Sequence, residues 1–409
     1  MCARCNGLSI VGAKFRPTRR QLLAAVGKLR DRFVSCRVIY HQRSSSIWDI
    51  ACLKTLRRHS ISGVAKQRSR HDDRPGISPV DIAEHNSRTT LRLLRRRGAL
   101  TRQELSKELG LTEPAITGIV RRLALAGLVT ESRRSTTAHY TAAEFGLRGE
   151  ARYSLGARIG KHDGEIVLMD LAGQIVGRQT VATSDDLIAA FGDLRREAGR
   201  GQLVGCGVAT SPDAFINRQQ IETALAGKGE ALFFLDDTEA AIEAERALGI
   251  GDPEGGIVMI LTDCSVRAGL LIGGRVFRGI HGRAGQIGEM RSGIDGASLN
   301  DVATLSSLEA GSAGKDDWVA TAARHLHEAV LAISGFIAPG AILIGGSLPG
   351  DVFDAVVARM SQERDDKIRD LVIAPWIPQI RCATFPWAGV AHGAALRPLD
   401  AMALPDARL

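Results

Sequence analysis

A chain of 409 residues with 44% hydrophobic and 24% charged content has the balance of a soluble globular protein and the length for about two or three domains with separate cores. A membrane-spanning helix is excluded, because the longest apolar run, from Ala329 to Gly346, is broken by Ser334, Gly335, Pro339 and Gly340. The net charge of +8 is unevenly placed: residues 1–75 hold 17 Lys or Arg against 4 Asp or Glu, so everything after them is acidic on balance.

Residues 1–78 form a basic extension and linker, Arg-rich and nearly free of acids, with Ser44-Ser45-Ser46 and Pro75-Gly76 as breakers. Leu22, Val26, Leu29 and Phe33 fit one face of a basic amphipathic helix. A targeting peptide, a nucleic-acid-binding arm and an unstructured extension all share this composition, and the unstructured extension is the expectation. Cys2 and Cys5 have the gap of a zinc knuckle, but no second pair follows at finger spacing. The seven cysteines, at positions 2, 5, 36, 52, 206, 264 and 382, outline no disulfide framework and suit a reducing cytoplasm.

From residue 79 to about 150 the pattern is that of a winged helix-turn-helix. Residues 80–140 carry 11 basic against 6 acidic side chains, the charge expected of a DNA-contacting module. His85 to Arg97 reads as a first helix, with Leu91 and Leu94 inward and Arg92, Arg95, Arg96 and Arg97 mostly outward, toward phosphates. Thr101-Arg102-Gln103-Glu104 is a capping box that opens a second helix ending at Gly110. Thr112, Glu113 and Pro114 open a third, in which Ile116, Ile119, Val120 and Leu123 make an apolar stripe.

The other face of that third helix shows Thr112, Glu113, Ala115, Thr117, Gly118, Arg121 and Arg122. Small hydrogen-bonding groups near the N-terminus followed by guanidiniums suit a helix lying in the major groove, where its first turns meet base edges. Thr112, Glu113, Ala115, Thr117 and Arg121 are the expected base readers; Arg121, Arg122, Arg133 and Arg134 are expected to anchor phosphates, and Arg102 is a further expected DNA-binding position. Val129-Thr130-Glu131 and Arg152-Tyr153-Ser154-Leu155 read as the outgoing and returning strands of the wing. An amphipathic helical hairpin inside an all-helical domain is the competing reading.

Beyond residue 150 strands and helices alternate. Tyr153–Ile159, Glu165–Asp170 and Gln174–Ala182 read as three strands joined by short turns, and Asp185–Ala198 as a helix. Leu203–Ala209 and Leu232–Leu235 read as buried strands, Thr238–Leu248 as a helix, Ile257–Thr262 and Ala268–Ile272 as strands. Trp318–Ile337 is a long helix leading into a strand at Ala341–Ile344. This predicts an α/β architecture of two lobes over residues 151–409. His325 and His327, two apart on the long helix, point to different faces and make a poor metal pair.

A winged helix-turn-helix followed by such a domain resembles the regulators of the ROK family (repressor, ORF, kinase) from about residue 80 to 397. The resemblance is carried by Leu235-Asp236-Asp237-Thr238-Glu239-Ala240-Ala241 through Glu245, by Ala284-Gly285-Gln286-Ile287-Gly288-Glu289, by Ile344-Gly345-Gly346-Ser347 and by His392-Gly393-Ala394-Ala395. It implies an actin-like, ribonuclease H-like sugar-kinase fold of two lobes around a cleft. It also implies Asp236, Asp237, Gln286 and Glu289 as ligand-binding positions, with Asp237 at the family's catalytic-base position.

The departures from the family pattern bear on activity. Where a family kinase has an Asp-x-Gly-Gly-Thr turn near ATP and its metal, this chain has Arg158-Ile159-Gly160-Lys161-His162. A guanidinium in place of a carboxylate repels magnesium: a unit charge at ~4 Å is worth about 4 kcal/mol at an effective dielectric near 20, roughly a thousandfold in rate. The second phosphate loop, glycine-rich in the kinases, is Asp263-Cys264-Ser265-Val266-Arg267, whose side chains block backbone approach to phosphate. Asp236 replaces an asparagine, Gln286 a sugar-contacting glutamate, Glu289 a histidine and Asn300 another glutamate. The family's cysteine-rich zinc segment corresponds to residues 292–301, which contain no cysteine. For Asp236 and Asp237, simple capping of the following helix competes with ligand contact.

The resemblance and these departures together predict a cytoplasmic transcriptional regulator, expected to be a repressor, that binds a double-stranded DNA operator and has no catalytic residues, cofactor or metal. Its kinase-like domain is expected to oligomerise, as a homodimer or dimer of dimers, and to sense a carbohydrate or another small-molecule effector. The alternatives are a sugar kinase that phosphorylates a hexose with ATP and a scaffold that only dimerises the DNA reader.

Overall fold

The computed structural model describes residues 79–403, apart from 138–139, 200–201, 212–213, 226–230, 292–294, 312–313, 371–376 and 387–388. Cys2, Cys5 and the amphipathic pattern from Leu22 to Phe33 lie outside the described residues.

Helix α1 (Pro79–Arg97) begins six residues earlier than its apolar pattern suggests. A two-residue strand β1 (Leu100–Thr101) leads into α2 (Arg102–Leu109). The capping box forms as its residues predict: the Thr101 hydroxyl accepts the Glu104 N–H, and Glu104 Oε2 accepts the Thr101 N–H at 2.7 Å. Gly110 then closes the helix in the left-handed region, at φ +65°, where a side chain would be strained. Helix α3 (Glu113–Leu125) starts after Thr112, whose side chain makes no capping bond; Pro114 in the first turn sets the start instead.

The predicted stripe of α3 is fully inward. Ile116, Ile119, Val120 and Leu123 are buried with Leu91 and Leu94 of α1, Leu105 of α2, and Leu128 and Phe145. Burying each such side chain is worth about 1.5–3 kcal/mol, enough to hold three short helices together.

The wing differs from the sequence expectation. Strand β2 (Val129–Thr137) pairs antiparallel with β3 (Tyr140–Leu147), in a register running from Val129↔Leu147 to Thr137↔Tyr140. The returning strand is therefore Tyr140–Leu147, and Arg152–Leu155 belongs to the next domain. Ala142 and Ala143 weaken the β signal of the true partner, whereas Arg152–Ile159 reads as a strand because it is the buried centre of a larger sheet.

That sheet has the order β6-β5-β4-β7-β8, built from β4 (Arg152–Ile159), β5 (Gly164–Asp170), β6 (Ile175–Val181), β7 (Gln202–Thr210) and β8 (Leu232–Asp236). Strands β4, β5 and β6 form an antiparallel meander, and β4, β7 and β8 run parallel. Helix α4 (Ser184–Glu197) covers one face through Leu187, Ala190, Phe191 and Leu194; α5 (Arg218–Ala224) lies before β8.

Helix α6 (Asp237–Leu248) leads into the second lobe, which repeats the plan. Its sheet has the order β11-β10-β9-β12-β13, from β9 (Ile257–Thr262), β10 (Val266–Ile272), β11 (Arg275–Val276), β12 (Ala341–Gly346) and β13 (Ile380–Cys382). The first three are again antiparallel and the last two again join in parallel. Short helices α7 (Leu299–Val302) and α8 (Leu305–Ala310) precede the long α9 (Lys315–Ile337), and α10 (Gly350–Asp370) packs beside it. The short β11 and β13 and the helix α10 are elements that the sequence patterns did not reveal.

The last helix, α11 (Gly389–Met402), returns to the first lobe and lies on α6, β4 and β7. Backbone comes into contact with backbone there. A Cβ on Gly207 would stand 1.9 Å from the Ala394 carbonyl oxygen, and one on Gly393 would stand 1.7 Å from that of Ala240. The small residues of His392-Gly393-Ala394-Ala395 are thus a packing requirement. The winged domain joins the same core: Leu91, Leu93 and Leu94 are clustered with Val167, Met169, Leu171, Leu396 and Leu399.

Candidate DNA-binding face and interlobe cleft

With its apolar stripe buried, α3 turns its other face outward. Thr112, Glu113, Ala115, Thr117, Arg121 and Arg122 are all exposed. The Thr117 hydroxyl donates to the Glu113 carbonyl at 2.9 Å, which leaves its oxygen free to accept. Arg122 leans back on α1, with Nη2 3.3 Å from Ser87 Oγ and 3.4 Å from the Ala83 carbonyl oxygen. Arg102 sits over the Phe145 ring, its guanidinium carbon 4.7 Å from the centroid. Arg133 is exposed on β2, and Arg134 follows it on the same strand, paired in register with Ala142.

The basic run of α1 contradicts the expectation that it faces phosphates. Arg95 is buried, 1% exposed, and Nη1 donates to Asp400 Oδ1 at 2.8 Å while Nε donates to the Leu171 carbonyl at 3.1 Å. Arg92 Nε takes the other oxygen of Asp400, also at 2.8 Å. One turn earlier, Arg88 donates to the carbonyls of Asp400 and Ala401. The two guanidiniums hold Asp400 below the usual carboxylate range despite its burial. Only Arg96 and Arg97 of this run are exposed without bonding to α11, and Arg97 pairs with Glu108 at 3.1 Å. These arginines bind the winged domain to the domain behind it, because α1 presents one face to α3 and the other to α6 and α11.

The second candidate site is the cleft between the lobes, a cavity of about 250 Å³ whose lining includes Arg158, Lys161, Ser211, Asp237, Asp263 and Arg267. Asp237 opens α6 at the cleft floor and is buried. Its carboxylate is gripped by Arg267 of β10 through both oxygens, with Nη1 to Oδ1 at 2.6 Å, and also accepts the Thr238 N–H at 2.7 Å. Burial still pushes its pKa up to about 6, with the Arg267 charge acting against that rise. A base at the family's position is thus present in kind, but its lone pairs are committed to a guanidinium.

Arg158, where the kinases have a carboxylate, is bound to Asp163 at 2.5 Å. Its charge is locally balanced, so the simple repulsion of a metal expected from the sequence is too strong a statement. Across the cavity Asp263 Oδ1 accepts the Ser347 hydroxyl at 2.5 Å. In two residues of the cavity lining a polar atom, Ser211 Oγ and Arg267 Nε, is buried with no hydrogen-bond partner among the described residues.

The other expected ligand positions do not gather here. Asp236 is exposed and makes no side-chain cap, whereas Asp237 Oδ1 accepts the Thr238 N–H at the start of α6. Gln286 and Glu289 are exposed and outside the cavity lining; Glu289 accepts from Asn300 Nδ2 at 2.9 Å, and Asn300 Oδ1 in turn accepts the Val266 N–H. Other motif residues are structural. Buried Glu245 accepts from Thr384 Oγ1 and the Phe385 N–H, tying α6 to the segment before α11, and buried Glu239 is held by Arg278 of the second lobe. Arg267 as the partner of Asp237 was not foreseeable, since 30 residues separate them and no pattern links their elements.

The donor set does not fit the family's structural zinc. Residues 292–301 lack cysteine, and among the described residues no three His, Cys, Asp or Glu side chains converge as a metal site. His325 and His327 are both buried within α9. Among the described residues no helix is long and apolar enough to cross a membrane.

The MarR family model matches residues 73–136, the winged segment. Over 342 residues the chain is 25% identical to the uncharacterized protein y4fQ of Sinorhizobium fredii, covering 71% of this chain and 85% of that one. It is 24% identical over 242 residues to the DNA-binding transcriptional dual regulator NagC of Escherichia coli, covering 53% of this chain and 59% of that protein. The fold is that of a solved ROK family transcriptional regulator described as a homolog of the Escherichia coli MLC protein, with a TM-score of 0.55 at 20% identity, covering 78% of this chain and 99% of the other.

The described residues thus comprise a MarR-type winged helix-turn-helix followed by a two-lobed, sugar-kinase-like domain. The fold of the chain is that of the ROK family transcriptional regulator compared above.

Proposed function

We propose that this regulator is a repressor that reads its operator through the exposed face of α3, with Arg121 as the principal base-contacting side chain. The supporting observation is the complete burial of the Ile116, Ile119, Val120 and Leu123 stripe, which leaves Thr112, Glu113, Ala115, Thr117 and Arg121 as the face presented to a major groove. Arg102, Arg122, Arg133 and Arg134 serve as phosphate anchors at its edges. A homodimer, or dimer of dimers, would place two such helices on half-sites about one helical turn, or a multiple, apart. The test is selection of bound duplexes from a random pool by the full chain, followed by affinity measurements on the selected sequence. Loss of about 1–3 kcal/mol in Arg121→Ala supports this placement, and unchanged affinity removes it.

The two-lobed domain, on this reading, has no kinase activity and serves as a sensor. Arg267 occupies the lone pairs that a catalytic base needs, and the loop from Asp263 to Arg267 carries side chains where phosphate would need bare backbone. The interlobe cavity of about 250 Å³, with Arg158, Lys161, Ser211 and Asp263 in its lining, is the place for a carbohydrate or other small polar effector. Such an effector acts only by binding one arrangement of the lobes better than another. ATP turnover across a hexose panel should stay at background; turnover that disappears in Asp237→Asn would restore the kinase reading. A melting-temperature rise with a sugar in the absence of ATP identifies the sensor, and none with any sugar leaves the scaffold reading.

A further inference from the structure

A second cavity, of about 340 Å³, lies where α1 of the winged domain meets α6, the turn between β10 and β11, and α11. Five arginines contribute to its lining, Arg92, Arg246, Arg275, Arg278 and Arg397, against three acids, Glu239, Glu243 and Asp400. The acids are largely committed. Asp400 is shared between Arg92 and Arg95, and Glu239 is gripped by Arg278 through both oxygens. Glu243 lies 3.9 Å from Arg246, at the margin of an ion pair. Arg275 and Arg397 are exposed, and no carboxylate pairs with either among the described residues. The cavity therefore holds guanidinium charge in excess of its internal carboxylates, converging from α1 of the winged domain and from three elements of the domain behind it.

We propose that this junction cavity binds a small multivalent oxyanion of the phosphate type, at a site separate from the interlobe cleft. Guanidinium forks match the spacing of phosphate oxygens and bind them bidentately, and the volume lies within the range of about 300–1,000 Å³ common for small-molecule sites. Arg92 gives the site its consequence, because this side chain both lines the cavity and holds Asp400, the residue that fastens α1 to α11. An anion that draws Arg92 away from Asp400 changes how firmly the winged domain is seated. An anion accommodated with that pair intact tightens the seating instead. The binding itself is independent of what occupies the cleft, and only its effect on DNA rests on the function proposed above.

The test is isothermal titration of the full chain with sodium pyrophosphate at fixed ionic strength, without DNA. Saturable binding at one site per chain is expected, weakened about tenfold or more by the double substitution Arg275→Ala and Arg397→Ala. Both side chains are exposed, so the variant should keep the melting temperature of the parent, which is measured alongside. Absence of saturable heat overturns the proposal, as does unchanged affinity in the double variant. Loss of binding in Arg267→Ala with retention in the double variant would assign the anion to the interlobe cleft. If pyrophosphate does not bind and the double variant weakens association with duplex DNA, these arginines serve the DNA backbone and the site does not exist.

Discussion

Helices α1 and α3 both carry arginines at helical spacing beside an apolar stripe, and the molecule uses them in opposite directions. Arg88, Arg92 and Arg95 of α1 are drawn back onto the C-terminal helix and Asp400, whereas Arg121 of α3 stands in solvent. A basic helix face in a DNA-binding domain is thus not evidence of a DNA-binding surface. What decides is whether another element of the chain covers it, and α1 is covered because it must bridge α3 and the two-lobed core.

The largest effect should come from breaking that bridge. Asp400→Ala leaves the buried Arg95 guanidinium without its counter-charge, and removing one partner of a buried pair typically costs about 3–5 kcal/mol. Denaturant unfolding of the full chain measures it, and a loss below about 1 kcal/mol would mean that the clamp is no more than a surface ion pair.

The cleft offers a contrasting acid–base pair, with a pH signature. Burial pushes the Asp237 carboxyl up to about 6 in the folded protein, against about 3.9 when unfolded. Between these values the native state retains a proton that the unfolded state has lost. This group therefore contributes stability fully present below pH ~4 and lost as pH rises through ~6, by up to about 3 kcal/mol. Stability measured against pH in the parent and in Asp237→Asn should differ in this window, the variant lacking the decline.

Next in size is the contrast between the two helices at the DNA. Arg121→Ala should cost about 1–3 kcal/mol of operator affinity, whereas Arg88→Ala should leave that affinity within about twofold while lowering thermal stability. Equal losses of affinity in both would place α1 on the DNA after all. The smallest effect belongs to Arg122, whose bonds to Ser87 and the Ala83 carbonyl, at 3.3 and 3.4 Å, are long. Arg122→Ala should change stability by less than about 0.5 kcal/mol, so any loss of DNA affinity in that variant reports on a phosphate contact.

How much of this was legible in sequence follows a physical divide. Capping boxes, glycine stops and the Ile116–Leu123 stripe are local, and they place α2 and α3 to within a residue. The doubled plan of strands was visible because the central strands are continuous apolar runs. The wing's return strand was misplaced because Ala142 and Ala143 carry little β preference, and its position is fixed by pairing with β2. The charges were least legible. Arg92 and Arg95 meet Asp400 across some 300 residues, and Arg267 meets Asp237 across 30. No period or spacing records such pairs, and they decide which arginines remain for a ligand. Family correspondence placed Asp236, Gln286 and Glu289 with Asp237, but the fold directs those three side chains away from the cavity that Asp237 lines.

The measurement that bears most directly on the central claim is duplex selection by the full chain, run in parallel with Arg121→Ala. Enrichment of a defined sequence by the parent chain is expected, with loss or broadening of that sequence at one position of each half-site in the variant. Enrichment of the same sequence with the same affinity by both proteins would contradict the assignment of α3 as the helix that reads DNA.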